Sequence, residues 1–308
     1  MKILVVGAGA VGGYFGGRLL EKGEDVTFLV RESRKRKLEE NGFNIRSVHG
    51  DFNANPKLLV SGEREEKFDV AILSVKAYQL VRAIEDLRPH LAEDGIVLPL
   101  LNGISHIDEL ARTFGKERVI GGLCLIESTL DNDGTILQKS PMHQIVYGEL
   151  SGEKTERIKR LEASFSGTKA SFELSDHIER EMWHKYLFIT AMSGITSLFE
   201  APIGPIRDLD SGQRAIKALL NEITAIMQAV DAPIREDIAD VLFERINGLG
   251  HAMKSSMQRD VEKGAPTEAD HLQGYLLKQA HAQGIEAPLL ETIHTKLTLY
   301  QQARIAEW

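Results

Sequence analysis

The chain begins with an apolar run, Ile3-Leu4-Val5-Val6, that passes without interruption into Gly7-Ala8-Gly9-Ala10-Val11-Gly12. Consecutive apolar, mostly β-branched residues describe a strand buried on both faces, and such strands belong to parallel sheets covered by helices. Each glycine of the following Gly-x-Gly-x-x-Gly has its own physical task. Gly7 allows a tight turn, Gly9 lets backbone approach a pyrophosphate, and Gly12 lets the next helix pack close to the strand. Helix signals then run over about 12–22, Gly23 supplies a stop, and a second strand is predicted over Asp25–Val30.

A glycine triplet alone serves many loops, but the strand before it and the helix after it define a dinucleotide-binding turn. Gly7, Ala8, Gly9, Ala10, Val11 and Gly12 are therefore expected to touch the cofactor, with the helix N-terminus facing its phosphates. The second strand runs into Arg31, where an NAD enzyme usually carries an acidic residue for the ribose 2′-hydroxyl. A guanidinium suits a 2′-phosphate instead, and Arg34, Lys35, Arg36 and Lys37 add positive charge nearby. NADP(H) is the expected cofactor. The plain alternative for residues 34–37 is a solvated basic helix start, and Glu32 leaves NAD open.

A chain of 308 residues with 43% apolar and 27% charged residues can bury two cores, so two domains are expected. The formal net charge of −8 opposes nucleic-acid phosphates, which argues against DNA or RNA as a partner. Cys124 stands alone, excluding an intramolecular disulfide and any multi-cysteine metal site, and the histidines lack an HExxH-type spacing, so no metal is expected. No apolar stretch reaches the length of a membrane span, and the first residues already read as a core strand rather than a signal peptide. A cytoplasmic location is expected, with no membrane partner.

Alternating strand and helix signals continue at 68–75 (strand), 78–89 (helix) and 95–101 (strand), with further strand character over 119–130 and 144–148. A helix over 154–164 and a short strand near 170–174 would then close one doubly wound sheet. After Ser175-Asp176, a candidate N-cap, the pattern changes to long helices, and 186–199 carries no charge, as a helix buried nearly all round would. The segment 201–205 stops it. Helices are further predicted over 212–230, 235–243, 268–281 and 288–303, with 250–266 less regular. The expected class is α/β: a Rossmann-type, NADP-binding domain over 1–174 and an all-helical substrate and catalytic domain over 175–308. Helical second domains of this kind can pair through exposed apolar faces, so a homodimer is compatible with the sequence.

Ligands of open α/β sheets lie beyond the carboxyl ends of the strands, which draws attention to Lys76 and to Asn102-Gly103. Both would sit near the nicotinamide half of a cofactor; a surface lysine and an ordinary Asn-Gly turn are the plain alternatives. Lys185 lies at the entry of the uncharged helix beside Trp183, Tyr186 and Phe188. An ammonium in such surroundings is poorly hydrated and ready to give up a proton. A salt bridge to Glu181, or snorkelling to water, would account for it without chemistry. Ser255-Ser256-Met257 and Pro266-Thr267-Glu268 form a third group, although Thr267 with Asp270 already resembles a capping box and Glu268 would favour a helix dipole.

Taken in order, these motifs resemble the ketopantoate reductase (2-dehydropantoate 2-reductase) family nearly end to end. They are residues 7–12, Ser74-Val75-Lys76-Ala77-Tyr78-Gln79, Leu101-Asn102-Gly103, the stretch 179–185, Ser255-Ser256-Met257 with Asp260, and Thr267-Glu268-Ala269-Asp270 with Gly274-Tyr275-Leu276-Leu277. The resemblance implies a Rossmann domain, a helical domain, and a cleft between them for NADPH and a 2-oxo acid. It further implies Lys185 as general acid, Asn102 as the residue touching cofactor and substrate, Ser256 as a substrate-binding hydroxyl, and Lys76 and Glu268 as cofactor contacts. Where well-characterised members carry asparagines, four and eight residues after the lysine and three before the second serine, this chain has Ile189, Ser193 and Met253. Ser193 would then face the substrate in place of an amide. The implied reaction is NADPH-dependent reduction of ketopantoate to pantoate in pantothenate biosynthesis. The alternatives are a reductase of another, more hydrophobic 2-oxo acid, or a non-catalytic dinucleotide-binding sensor.

Overall fold

In a computed structural model, which describes residues 1–63 and 65–306, the opening run forms β1 (Lys2–Val6). Its side chains alternate between two cores: Ile3 and Val5 join one apolar cluster, Leu4 and Val6 the other. This two-sided burial is what a central parallel strand requires. The chain continues through α1 (Ala10–Lys22) into β2 (Asp25–Val30), then α2 (Glu32–Asn41), β3 (Phe43–Ser47), β4 (Phe52–Ala54), β5 (Lys57–Val60) and β6 (Phe68–Leu73). A 3-10 turn at Ala77–Gln79 leads into α3 (Leu80–Leu87), β7 (Leu91–Pro99) and α4 (Ser105–Phe114).

Strands β5, β2, β1, β6 and β7 form a fully parallel sheet in that order. The strand order reverses direction at β1, so the crevice beyond the carboxyl ends of β1 and β6 is the topological switch point where such sheets bind ligands. Backbone bonds hold the strand ends in register there, from Ser74 N–H to Val6 C=O (2.9 Å) and from Leu100 N–H to Leu73 C=O (2.8 Å).

The remaining β structure does not close this sheet, contrary to the expectation of a single doubly wound layer. β8 (Gly121–Leu130), β9 (Ile136–Gly148) and β10 (Ser171–Leu174) join β3 and β4 in a second, mixed sheet, with α5 (Glu156–Phe165) packed between β9 and β10 in sequence. β9 pairs antiparallel with β8 and parallel with both β3 and β10. The physical cause lies in α1. Side chains at Gly13 and Gly17 would strike Ile136 and Ile45 of the second sheet at 2.6 and 2.5 Å, and one at Gly16 would strike Phe28 and Val5 of the first at 2.8 Å. A helix lacking side chains at these points packs tightly against two sheets at once.

The chain divides into two compact units, Met1–Leu101 with His106–Ile178, and Asn102–Ser105 with Glu179–Trp308. The second unit is built on α6 (Ile178–Phe199), whose residues 190–197 are all buried. The Ser175 hydroxyl accepts the His177 N–H two residues on, and the helix starts at Ile178. Around α6 lie α7 (Ile203–Arg207), α8 (Asp210–Ala229), α9 (Ile238–Asn247), α10 (Ser256–Glu262), a π-helical turn at Asp270–Gly274, α11 (Tyr275–Gln283) and α12 (Pro288–Ala306). The helix predicted over 268–281 is thus split by the π turn, and 250–266 contains a helix of its own. Lys296 donates to the Leu198 carbonyl at 2.7 Å and pairs with Glu200, placing positive charge at the C-terminus of α6. The fold class is the expected one, an α/β sheet unit followed by an all-helical unit.

In the first unit the Tyr14 hydroxyl bonds His143 Nδ1 at 2.7 Å, and His143 stacks on His49 with 3.5 Å between ring centroids. Burial, assisted by His49 and Arg18, pulls the His143 pKa down to about 4. A depressed histidine pKa stabilises the fold fully above the unfolded value near 6.5 and loses that stabilisation as pH falls toward 4. The urea midpoint should therefore decline over this window, and His143→Gln, which cannot titrate yet still offers Tyr14 an acceptor, should flatten the decline.

Candidate functional site

The glycine turn after β1 forms one wall of a cleft of about 240 Å3 within the first unit. Gly7 has φ +98°, and a Cβ there would lie 2.5 Å from the Ser74 carbonyl oxygen, so the turn accepts no other residue without displacement. Gly12 is equally constrained, because its Cβ would stand 2.3 Å from the Gly7 carbonyl oxygen. Gly9 differs: a Cβ would meet nothing within 4 Å, although the residue lines the cleft. Packing does not require this glycine, which leaves open space on the cleft side of the turn. Ala10, Val11 and Gly12 form the first turn of α1, where N–H groups lack helical carbonyl partners and attract anions.

Arg31 is exposed, directly follows β2 and lines the cleft. The basic cluster behind it is not a uniform solvated face. Arg34 is half-buried, with Nε donating to the Ala8 carbonyl (3.1 Å) and Nη2 to the Gly134 carbonyl (3.1 Å), while Lys35 pairs with Glu63 at 2.8 Å. Arg34 thus props the glycine turn as well as lining the cleft. Sequence reasoning missed Arg82 on α3, a further guanidinium of the lining that pairs with Asp86 at 3.2 Å. Its signal was an ordinary i,i+4 pair on an amphipathic helix. Lys76 follows the cleft residue Val75 and is half-buried; its N–H donates to Gln79 Oε1 at 3.4 Å.

The other candidates gather in the second unit. Lys185, Ile189 and Ser193 fall at i, i+4 and i+8 of α6 and so share one helix face. Lys185 Nζ is buried and has no hydrogen-bond partner, so the alternative pairing with Glu181 is not formed. Ser193 is buried; it donates to the Thr190 carbonyl (3.3 Å) and accepts from Gln273 Nε2 (2.9 Å). One turn further along α6, Thr196 Oγ1 meets Ser255 Oγ at 2.8 Å. Ser255 also caps α10 by accepting the Gln258 N–H, which leaves the exposed Ser256 as the serine available to a ligand.

The π turn completes this group. Glu268 is buried, and its carbonyl accepts the His271 and Leu272 N–H groups. The Tyr186 hydroxyl donates to the Leu272 carbonyl at 2.6 Å, and His271 Nε2 lies 2.7 Å from the Asn102 carbonyl oxygen. Asn102, the Lys185–Ser193 face, the Ser255 cap and the Glu268 segment are therefore linked within one unit. The expected capping box is absent: Thr267 Oγ1 is buried without a hydrogen-bond partner, its N–H donates to Gln301, and Asp270 pairs with His294. The π turn replaces the regular first helical turn that a capping box needs. His271 and Gln273 were missed in the sequence because a π turn leaves no compositional trace.

Among the described residues there is no cluster of three or more metal-ligating side chains and no helix long and apolar enough to cross a membrane.

A parallel sheet entered through a glycine turn and followed by a helical unit is an architecture used by dinucleotide-dependent oxidoreductases. Residues 3–152 match the family model described as ketopantoate reductase PanE/ApbA, and residues 177–301 match the model of its C-terminal region. An uncharacterized oxidoreductase, YkpB, of Bacillus subtilis is 46% identical over 98% of this chain and 99% of its own. A 2-dehydropantoate 2-reductase of Pyrococcus abyssi is 28% identical over 94% of each chain. The crystal structure of 2-dehydropantoate 2-reductase from Geobacter metallireducens superposes with a TM-score of 0.87 at 29% identity, covering 98% of this chain and 100% of that one. The chain belongs to the ketopantoate reductase PanE/ApbA family and is an oxidoreductase.

The contrast between two glycines gives a direct test of the cradle. Gly12→Ala should destabilise the protein by about 1–3 kcal/mol through overpacking. Gly9→Ala should stay within about 0.5 kcal/mol of the parent in denaturant titration. Dinucleotide affinity, measured by calorimetry, should nevertheless fall about tenfold in Gly9→Ala.

Proposed function

We propose that this protein reduces a 2-oxo acid to the 2-hydroxy acid with NADPH, using Lys185 as proton donor. The observation that carries the reading is the buried Lys185 Nζ without a hydrogen-bond partner. Withdrawing an ammonium from water without compensation is unfavourable, and such groups are retained where chemistry needs them. A reduced nicotinamide, when bound, supplies a hydride to the carbonyl carbon. Lys185 gives its proton to the carbonyl oxygen, and its positive charge stabilises the alkoxide as it develops.

The other residues bind and orient. Residues 7–12 hold the pyrophosphate, and Lys76 and Glu268 contribute to cofactor binding. The Asn102 carboxamide touches cofactor and substrate, the exposed Ser256 hydroxyl receives the substrate carboxylate or hydroxyl, and Ser193, held by Gln273, is assigned to the substrate side. Arg31 selects NADPH by pairing with its 2′-phosphate; its exposure at the mouth of the cleft, with Ser33 and Ser61 hydroxyls nearby, supports this assignment.

2-Dehydropantoate is the substrate favoured by the curated relative from Pyrococcus abyssi, which would place the reaction in pantothenate biosynthesis. A second reading, a more apolar 2-oxo acid, is favoured by Ile189 on the Lys185 face and by the exposed Met253 close to the α10 serines. A panel of 2-oxo acids ranked by kcat/KM separates the two: loss of a hydrogen-bond partner shifts preference by orders of magnitude.

Lys185→Met should lower kcat by about 10²–10⁴-fold while leaving NADPH binding within a few-fold. Because the substitution removes a buried uncompensated amine, its melting temperature should equal or exceed that of the parent. Unchanged turnover would remove Lys185 from its role. Arg31→Ala should weaken NADPH far more than NADH, by about tenfold or more in Kd, as read by cofactor fluorescence.

A further inference from the structure

We infer that His271 is a positioning residue that holds the Asn102 turn through its Nε2–H tautomer, and this rests on the reading that the Asn102 carboxamide touches the ligands. His271 Nε2 lies 2.7 Å from the Asn102 carbonyl oxygen, and Nδ1 lies 3.1 Å from Ser105 Oγ. A carbonyl oxygen only accepts, so the proton sits on Nε2. In the neutral ring Nδ1 is then an acceptor, and the Ser105 hydroxyl donates to it. A single tautomer therefore satisfies both bonds, and the imidazole spans both ends of the segment Asn102–Ser105.

The fit is tight on the turn side. Gly103 has φ +84°, and a Cβ there would stand 2.9 Å from His271 Nε2, so the backbone is pressed against the ring. It is also fixed on the helical side, since the His271 N–H bonds the Glu268 carbonyl (3.1 Å) and the next carbonyl, of Leu272, is taken by Tyr186. The π turn supplies this projection, which a regular helix would rotate away. Most relevant to function, the clamp grips Asn102 by its main-chain oxygen. The carboxamide makes no hydrogen bond among the described residues and stays available for a ligand while its backbone is held. Catalytic amides work only when placed to within a fraction of an ångström, and a 1 Å error costs about 10²-fold.

The test compares His271→Phe, which keeps a flat ring but loses both bonds, with His271→Gln, whose amide can donate to Asn102 and accept from Ser105. His271→Phe should lower kcat by about 10–100-fold with NADPH Kd changed much less, and His271→Gln should recover most of the loss. The double variant Asn102→Ala/His271→Phe should be no slower than Asn102→Ala alone, because His271 acts through Asn102. 15N NMR of the histidine-labelled enzyme should show the His271 proton on Nε2. Additive losses, a proton on Nδ1, or a glutamine variant as slow as the phenylalanine one would each overturn the inference. If Asn102→Ala itself turns over normally, the assignment of Asn102 to the site fails, whereas the clamp is still decided by the 15N tautomer.

Discussion

The close approach of α1 to everything around it is the constraint on which the first unit depends. Its first turn rests against the glycine loop, where a Cβ at Gly12 would intrude on the Gly7 carbonyl, and its body is pressed between the two sheets at Gly13, Gly16 and Gly17. The same close packing that merges two β layers into one core also fixes the helix axis, and with it the direction in which its free N–H groups point. In the proposed function, phosphate recognition is thus a by-product of core packing. A loosened core would misdirect the amides even with every cleft residue present.

The second unit follows a different rule. Its helices carry a chain of polar contacts through otherwise apolar packing: Asn102 to His271, Leu272 to Tyr186, Gln273 to Ser193, and Ser255 to Thr196. Partly satisfied networks of this kind cost stability unless something completes them. Orphaned groups remain at Lys185 Nζ, Thr190 Oγ1 and Gln273 Oε1. Further ones lie at Ser197, Thr224, Thr267 and Thr298, so the unsatisfied groups are spread through the helical unit rather than gathered on one face.

Much of the parallel sheet was legible because strand burial, glycine spacing and helix stops all point the same way: Asp25–Val30 falls where the sequence puts it. The second sheet was legible only in part: β8, β9 and β10 fall on strand signals in the sequence, but their separation from the parallel sheet does not show there. β3 and β4 are short and become strands by pairing with each other and, for β3, with β9, remote in sequence, while β5 becomes one by pairing with β2 at the edge of the parallel sheet. Likewise the positions of Lys185 and Asn102 followed from pattern, whereas His271, Gln273 and Arg82 required coordinates. Their roles arise from a π turn and from cleft geometry, and neither is encoded in periodicity. The capping box at Thr267 failed for the same reason: local chemistry was right, but tertiary packing chose a different turn.

The bracing of the nucleotide loop has a reach beyond the cleft. Arg34 joins the Ala8 carbonyl to the Gly134 carbonyl, and Gly134 belongs to the hairpin between β8 and β9, a hundred positions away in sequence. Any side chain at Gly134 would collide with the Arg34 guanidinium, since its Cβ would fall 2.3 Å from Nη1. The β8–β9 hairpin is thereby an external tuning point: drift in this turn would be transmitted through Arg34 to the glycine loop. In the proposed function, the grip on nucleotide is then adjustable without altering a single residue of the glycine fingerprint.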